Sequence, residues 1–79
     1  MAYDNLTTKA QEALRDAQRL ATELQHGEVD TLHLLLALTR QEGGVVPALL
    51  EKIGVRADLF ADVLDRQLRS RPQLTGATV

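Results

Sequence analysis

No cysteine occurs in the sequence. That excludes disulfides and thiolate metal sites, and it fits a reducing, cytoplasmic setting. Positive charge is not in excess: 9 lysines and arginines stand against 11 acids, a formal net charge of -2. The basic residues are also scattered, so the patch that marks a nucleic-acid partner is missing. No apolar run approaches the ~20 residues of a membrane-crossing helix. The opening MAYDNL has no apolar signal core, so no secretion signal is expected. There is no strand signal and no internal repeat. No GxxxxGK[ST] occurs, which leaves no phosphate-cradling loop to propose. What is present is 79 residues, 44% apolar and 25% charged, the balance of an ordinary globular protein. One domain is expected, with a small core and much wet surface.

The pattern predicts four helices joined by short loops, a compact all-α unit. Thr8-Lys9-Ala10-Gln11 fits a capping box, with Thr7 a competing cap one residue earlier and Leu6 placed as a hydrophobic staple. The first helix then runs to about Gln25. Ala10, Ala13, Leu14, Ala17, Leu20, Ala21 and Leu24 share one face, and the alanines let another helix approach closely. His26-Gly27 ends this helix, with Gly27 suited to a left-handed turn. Asp30 is a good N-cap for a second helix over Thr31 to Arg40. After Gly43-Gly44 a short third helix spans Val45 to Ile53. Pro47 is tolerated in its first turn and Gly54 closes it. The fourth helix runs from Ala57 to Ser70, with Leu59, Phe60, Val63, Leu64 and Leu68 as its apolar stripe. Asp62 with Arg66, and Asp65 with Arg69, are acid-before-base pairs at i,i+4. Arg71-Pro72 ends the helix. Residues 73–79 read as a linker or flexible tail, so the domain itself is expected over 1–72.

DTLHLLLALT, residues 30–39, is apolar on nearly every side. Such a helix belongs in the middle of a structure. Three apolar stripes from the other helices surround most of it, and the remainder is expected to face another unit. His33 lies in its first turn. One reading is a buried imidazole bonded to nearby backbone or a loop, as buried polar groups normally are. The other is a ligand or proton shuttle. A zinc site needs more donors than His33 and His26, which lies across a loop.

LTTKAQEALRDAQRLA, VDTLHLLLALTRQEGGVVPALLEKIGV and the ending RPQLTGA together resemble the N-terminal Clp repeat domain. More narrowly, they resemble the first repeat in the N-domain of ClpB-type AAA+ disaggregases. The most specific pieces are the Leu6-Thr7 helix start, the run Leu32 to Leu38 and the Gln41-Glu42-Gly43-Gly44 turn. The resemblance implies half of a pseudo-twofold domain built from two four-helix repeats. It implies a role in a stress-response chaperone, recruiting unfolded or aggregated protein substrates. Catalysis is not expected of this chain, and no cofactor or metal either; ATP and Mg belong to the parent family's ATPase domains. Thr7 matches a threonine that lines a substrate-binding groove in ClpB-type domains, although a plain helix cap explains it equally. Leu32 stands where relatives that read phosphoarginine carry a glutamate, and a leucine cannot pair a guanidinium-bearing tag. Arg56 stands where relatives often place Asp or Asn, so the start of the fourth helix lacks its usual cap.

The leading expectation is therefore a binding module with loose, apolar capture of polypeptide. A structural role is the alternative: relatives pack two repeats through an apolar interface, so a lone repeat is expected to form a homodimer over the bare surface. An enzyme is rejected, since no nucleophile, base and orienting group can be named together. Helix-turn-helix binding of DNA is disfavoured, because Lys52 and Arg56 sit beside Glu51 and Asp58.

Overall fold

α2 (Thr31–Arg40) is the element around which the others are arranged: α1 (Thr8–Glu23), α3 (Val45–Lys52) and α4 (Ala57–Arg69) each pack on it. This arrangement comes from a computed structural model that describes residues 7–73. Among those residues there is no strand, and the all-α expectation holds. α1 contributes Ala13, Ala17 and Ala21, all buried. Their small side chains let the two helix axes approach. α4 contributes Ala61, Leu64 and Leu68. With Leu24 and Leu36 these form the core cluster, against which Leu20, Leu32, Leu35 and Phe60 pack. Leu36 and Leu68 are fully enclosed. The remaining leucines of α2 are only half-buried, so its cover is partial, as its pattern implied.

Two positions on α4 depart from the expected stripe. Leu59 and Val63 are 54% and 45% exposed, on the side of α4 away from α2. The apolar arc of α4 is wider than the contact that α2 can provide. α3 carries the same imbalance further: none of its residues is fully buried. Val45, Leu49 and Ile53, spaced every four residues, lie along its open side. Of the two predicted ion pairs on α4, Asp65 holds Arg69 at 2.8 Å and also meets Arg40 of α2 at 3.5 Å. The Arg69 hydrogen bond, helped by Arg40, holds the Asp65 carboxyl below its usual range. Asp62 and Arg66 do not form their pair.

The helix ends explain the loops. Thr7, not Thr8, caps α1: its backbone is extended and its Oγ1 accepts the Ala10 N–H at 3.1 Å. Thr8 is already helical, so the capping box read from the sequence is one residue out of register. Leu6 lies outside the described residues. Asp30 caps α2 as expected, its Oδ1 accepting the Leu32 N–H at 2.8 Å. Arg56 gives α4 no side-chain cap, but Asp58 in the first turn accepts the Leu59 N–H at 2.9 Å.

α1 and α3 close in the same way. In α3, Val55 N–H donates to Leu50 O and Gly54 N–H to Glu51 O, with Gly54 left-handed at φ 83°. In α1, His26 N–H donates to Ala21 O and Gln25 N–H to Thr22 O. This is the same pair of bonds that defines a Schellman end. Here the left-handed residue is Gln25, at φ 58°, and not Gly27. The helix register puts the turn two residues before the glycine. A Cβ in that region costs about 1–2 kcal/mol. Gln25→Gly is therefore expected to stabilise the domain by roughly 0.5–1 kcal/mol, after the entropy that glycine adds to the unfolded chain. Urea denaturation measures it; a lower midpoint would show that the Gln25 side chain holds the turn in some other way.

Candidate functional site

The Gln41-Glu42-Gly43-Gly44 turn between α2 and α3 folds back onto the first turn of α1. Gly44 N–H donates to Gln41 O at 3.2 Å, and Gly43 takes φ 70°. Two long-range bonds then clasp the turn. Gln41 Nε2 donates to Lys9 O at 2.7 Å, and Lys9 Nζ donates to Glu42 O at 2.7 Å. The clasp leaves a cleft of about 340 Å³ between the start of α1, the end of α2 and the start of α3. Its lining is mostly apolar: Ala10, Leu38, Val45 and Val46, with Gly43 and Gly44 as a floor without side chains. Thr7 and Lys9 stand at its α1 rim. Thr7 caps a helix and borders a cleft at once.

Val45 connects two features. It lines the cleft, and at 72% exposed it also begins the open apolar row Val45, Leu49 and Ile53 on α3. Leu59 and Val63 leave a separate apolar pair exposed on α4. Sequence reasoning missed both exposed sets: it counted α3 among the helices that cover α2, and it assigned Leu59 and Val63 to the apolar stripe of α4. The signal was present in the spacing of Val45, Leu49 and Ile53, a row that a helix of only 8 residues has no second partner to cover.

His33 has a separate environment. It is fully buried, and its Nδ1 accepts the Asp30 N–H at 3.0 Å, which completes the capping box of α2. Its Nε2 lies 2.8 Å from Nδ1 of His26. The buried, backbone-bonded reading of His33 is the one found. Burial holds the imidazole below the usual histidine range, against the opposing Asp30 carboxylate. Among the described residues no group of three or more His, Cys, Asp or Glu side chains is arranged to hold a metal ion. Leu32, where phosphoarginine readers carry a carboxylate, packs against the core cluster. No described helix is long and apolar enough to cross a membrane.

Four short-looped helices around a buried α2, with no strand among the described residues, define a small all-α repeat unit. The chain belongs to the Clp repeat (R) N-terminal domain family, whose model matches residues 5–79. It is similar to the chaperone protein ClpB of Nitratidesulfovibrio vulgaris, 45% identical over 76 residues. The ClpB chaperones of Bacillus cereus and Clostridium tetani are 36% and 32% identical over 77 and 76 residues. These matches cover 96%, 98% and 96% of the chain but only 9% of each relative.

Gly44 is the point at which the cleft can be tested. A Cβ there would sit 3.0 Å from Gln41 Oε1 and 3.2 Å from Gln41 O. Gly44→Ala is expected to destabilise by roughly 1–3 kcal/mol through overpacking. The loss should shrink in a Gln41→Ala background, where the side-chain half of the clash is gone. Strictly additive losses in urea denaturation would show that the Gln41 side chain does not press on Gly44.

Proposed function

We propose that this chain is a non-catalytic, substrate-recruiting domain of a ClpB-type disaggregase, which binds unfolded or aggregated polypeptide weakly through its apolar surface. The observation that carries this reading is the row from the cleft along α3. Val45 and Ile53 are each 72% exposed in a domain too small to leave leucines and valines uncovered without a use for them. An extended segment enters the cleft beside Thr7 and Val46 and lays apolar side chains along Leu49 and Ile53. Thr7 borders the bound segment. Its oxygen accepts the Ala10 N–H, which leaves the hydroxyl hydrogen free to donate to the segment. Each apolar side chain covered contributes up to about 1.5–3 kcal/mol, set against the ordering of the bound chain. That balance suits a contact that must release its substrate. A cytoplasmic setting, and a linker over residues 73–79, belong to the same reading. ATP hydrolysis falls to other parts of the relatives, since this chain has no phosphate-cradling motif.

A second reading has its own observation. α3 buries no residue fully, and its row Val45, Leu49 and Ile53 is left open. Two copies meeting through this face would form a symmetric homodimer and hide both rows.

Backbone amide spectra separate the two readings. An unfolded apolar polypeptide titrated into the labelled domain is expected to give saturable shifts at Thr7, Val45, Val46, Leu49 and Ile53. The double substitution Leu49→Ser, Ile53→Ser should weaken binding at least about tenfold, equivalent to 1.4 kcal/mol. Shifts on the open side of α3 that follow the concentration of the domain alone would support the homodimer. No shift at high excess of polypeptide would contradict capture by this domain.

A further inference from the structure

We propose that His26, His33, Asp30 and Arg71 form an acid-responsive latch: one proton taken up by the imidazole pair opens the cap of α2 and draws the Asp30 carboxylate away from Arg71. The latch is separate from the cleft and independent of what the cleft binds.

The hydrogen bonds allow one arrangement of protons in the neutral pair. His33 Nδ1 accepts the Asp30 N–H at 3.0 Å, so it carries no hydrogen. His33 is therefore protonated at Nε2, which donates to His26 Nδ1 across 2.8 Å. His26 must then carry its hydrogen on Nε2. That atom is buried and has no hydrogen-bond partner among the protein atoms. The left-handed turn at Gln25 sets the position of His26, so the relay depends on how α1 ends.

An additional proton has no free place in this chain of bonds. At His33 Nδ1 it points at the Asp30 N–H. At His26 Nδ1 it points at the His33 Nε2–H, and His33 can accept it only by moving its own hydrogen to Nδ1. Both routes end at the same atom. The acceptor near that atom is Asp30 Oδ1, at 3.4 Å. The same carboxylate already serves two donors. Oδ1 accepts the Leu32 N–H, and Oδ2 holds the Arg71 guanidinium, 41 residues away in sequence. A His33 ring with its hydrogen on Nδ1 thus competes with Arg71 for one carboxylate.

The fold places this competition where it has a consequence. Arg71 stands just past the end of α4, and its bond to Asp30 ties that end to the start of α2. Asp30 and Arg71 are part-exposed, at 43% and 35% of their side chains, so the ion pair can open to water while the imidazoles stay inside. The charges acting on His33 come from three places: Asp30 on its own cap, His26 from the α1–α2 connection and Arg71 beyond α4. Glu28 lines the same shallow surface cleft as His26, Asp30 and Arg71. Burial pushes proton binding by His33 down, and Asp30 opposes it. The unfolded chain then binds more protons than the folded one below the ordinary histidine value of about 6.5. Stability is full above that pH and falls as the pH drops beneath it.

The test is an imidazole and amide NMR titration of the whole chain from pH 8 to 5. At pH 8 both rings are expected in the Nε2–H form. As the pH falls below 6.5, the Asp30 amide and the Arg71 Nε–H should shift with the same midpoint as the pair. Arg71→Gln, which removes the competing cation, should raise that midpoint by roughly half a pH unit or more. A His33 ring with its hydrogen on Nδ1 at pH 8 would overturn the proposal. So would titration of the pair with the Asp30 amide and Arg71 unmoved, or an unchanged midpoint in Arg71→Gln.

Discussion

The burial of α2 is the constraint on which the rest depends. Its leucines point in more directions than one neighbour can cover, and only Leu36 among them is fully enclosed. α1 meets it with alanines, which bring the axes close but supply little volume. α4 meets it with Leu64 and Leu68, which supply the volume. Two helices are committed to this task, and the third position around α2 falls to an 8-residue helix. α3 is too short to build a second core. It contacts α2 and α4 with one side and leaves the row Val45, Leu49 and Ile53 to the solvent. The apolar face is thus a remainder of the way the core was closed.

Both loops next to α2 act as clasps. At its start, Asp30 and His33 cap each other, and Arg71 reaches back from the far end of the chain to the same carboxylate. At its end, Gln41 and Lys9 exchange bonds with backbone carbonyls across the gap to α1. Neither clasp is a large source of stability, since their outer partners are solvent-exposed. Their role is geometric. The first fixes the angle between α1, α2 and the end of α4. The second sets the width of the cleft from which the α3 row begins. The chain is a Clp repeat domain, its relatives are ClpB chaperones spanning far more chain, and loose contact with polypeptide is the role we propose for this surface.

Much of this was legible in the residues. The four helices followed from apolar spacing, and Asp30, Pro47 and Gly54 marked their ends, because each acts through its own local backbone. The errors have local causes too. Thr7 and Thr8 are chemically identical caps, and only the register of α1 decides between them. Gly27 was the natural left-handed residue, but the Schellman bonds count from the last turn of α1 and fall on Gln25. Leu59 and Val63 belong to the periodic stripe of α4, yet periodicity gives the width of a stripe and not the width of the neighbour that covers it. The parts of the site that span distance were not legible at all. The bond between His26 and His33 requires the turn at Gln25. The clasp of Gln41 on Lys9 joins residues 32 positions apart.

The central claim is that α2 is the structural centre and α3 the lightly held element that presents the contact surface. Native-state hydrogen exchange tests this most directly, since it resolves opening free energy along the chain. The account predicts that the amides of Leu36 to Thr39 exchange only through global unfolding. Those of Leu49 to Lys52 should exchange through a smaller, separate opening, at least about 1–2 kcal/mol easier. Equal protection of α2 and α3 would contradict it, because α3 would then be as much a part of the core as the helix it flanks.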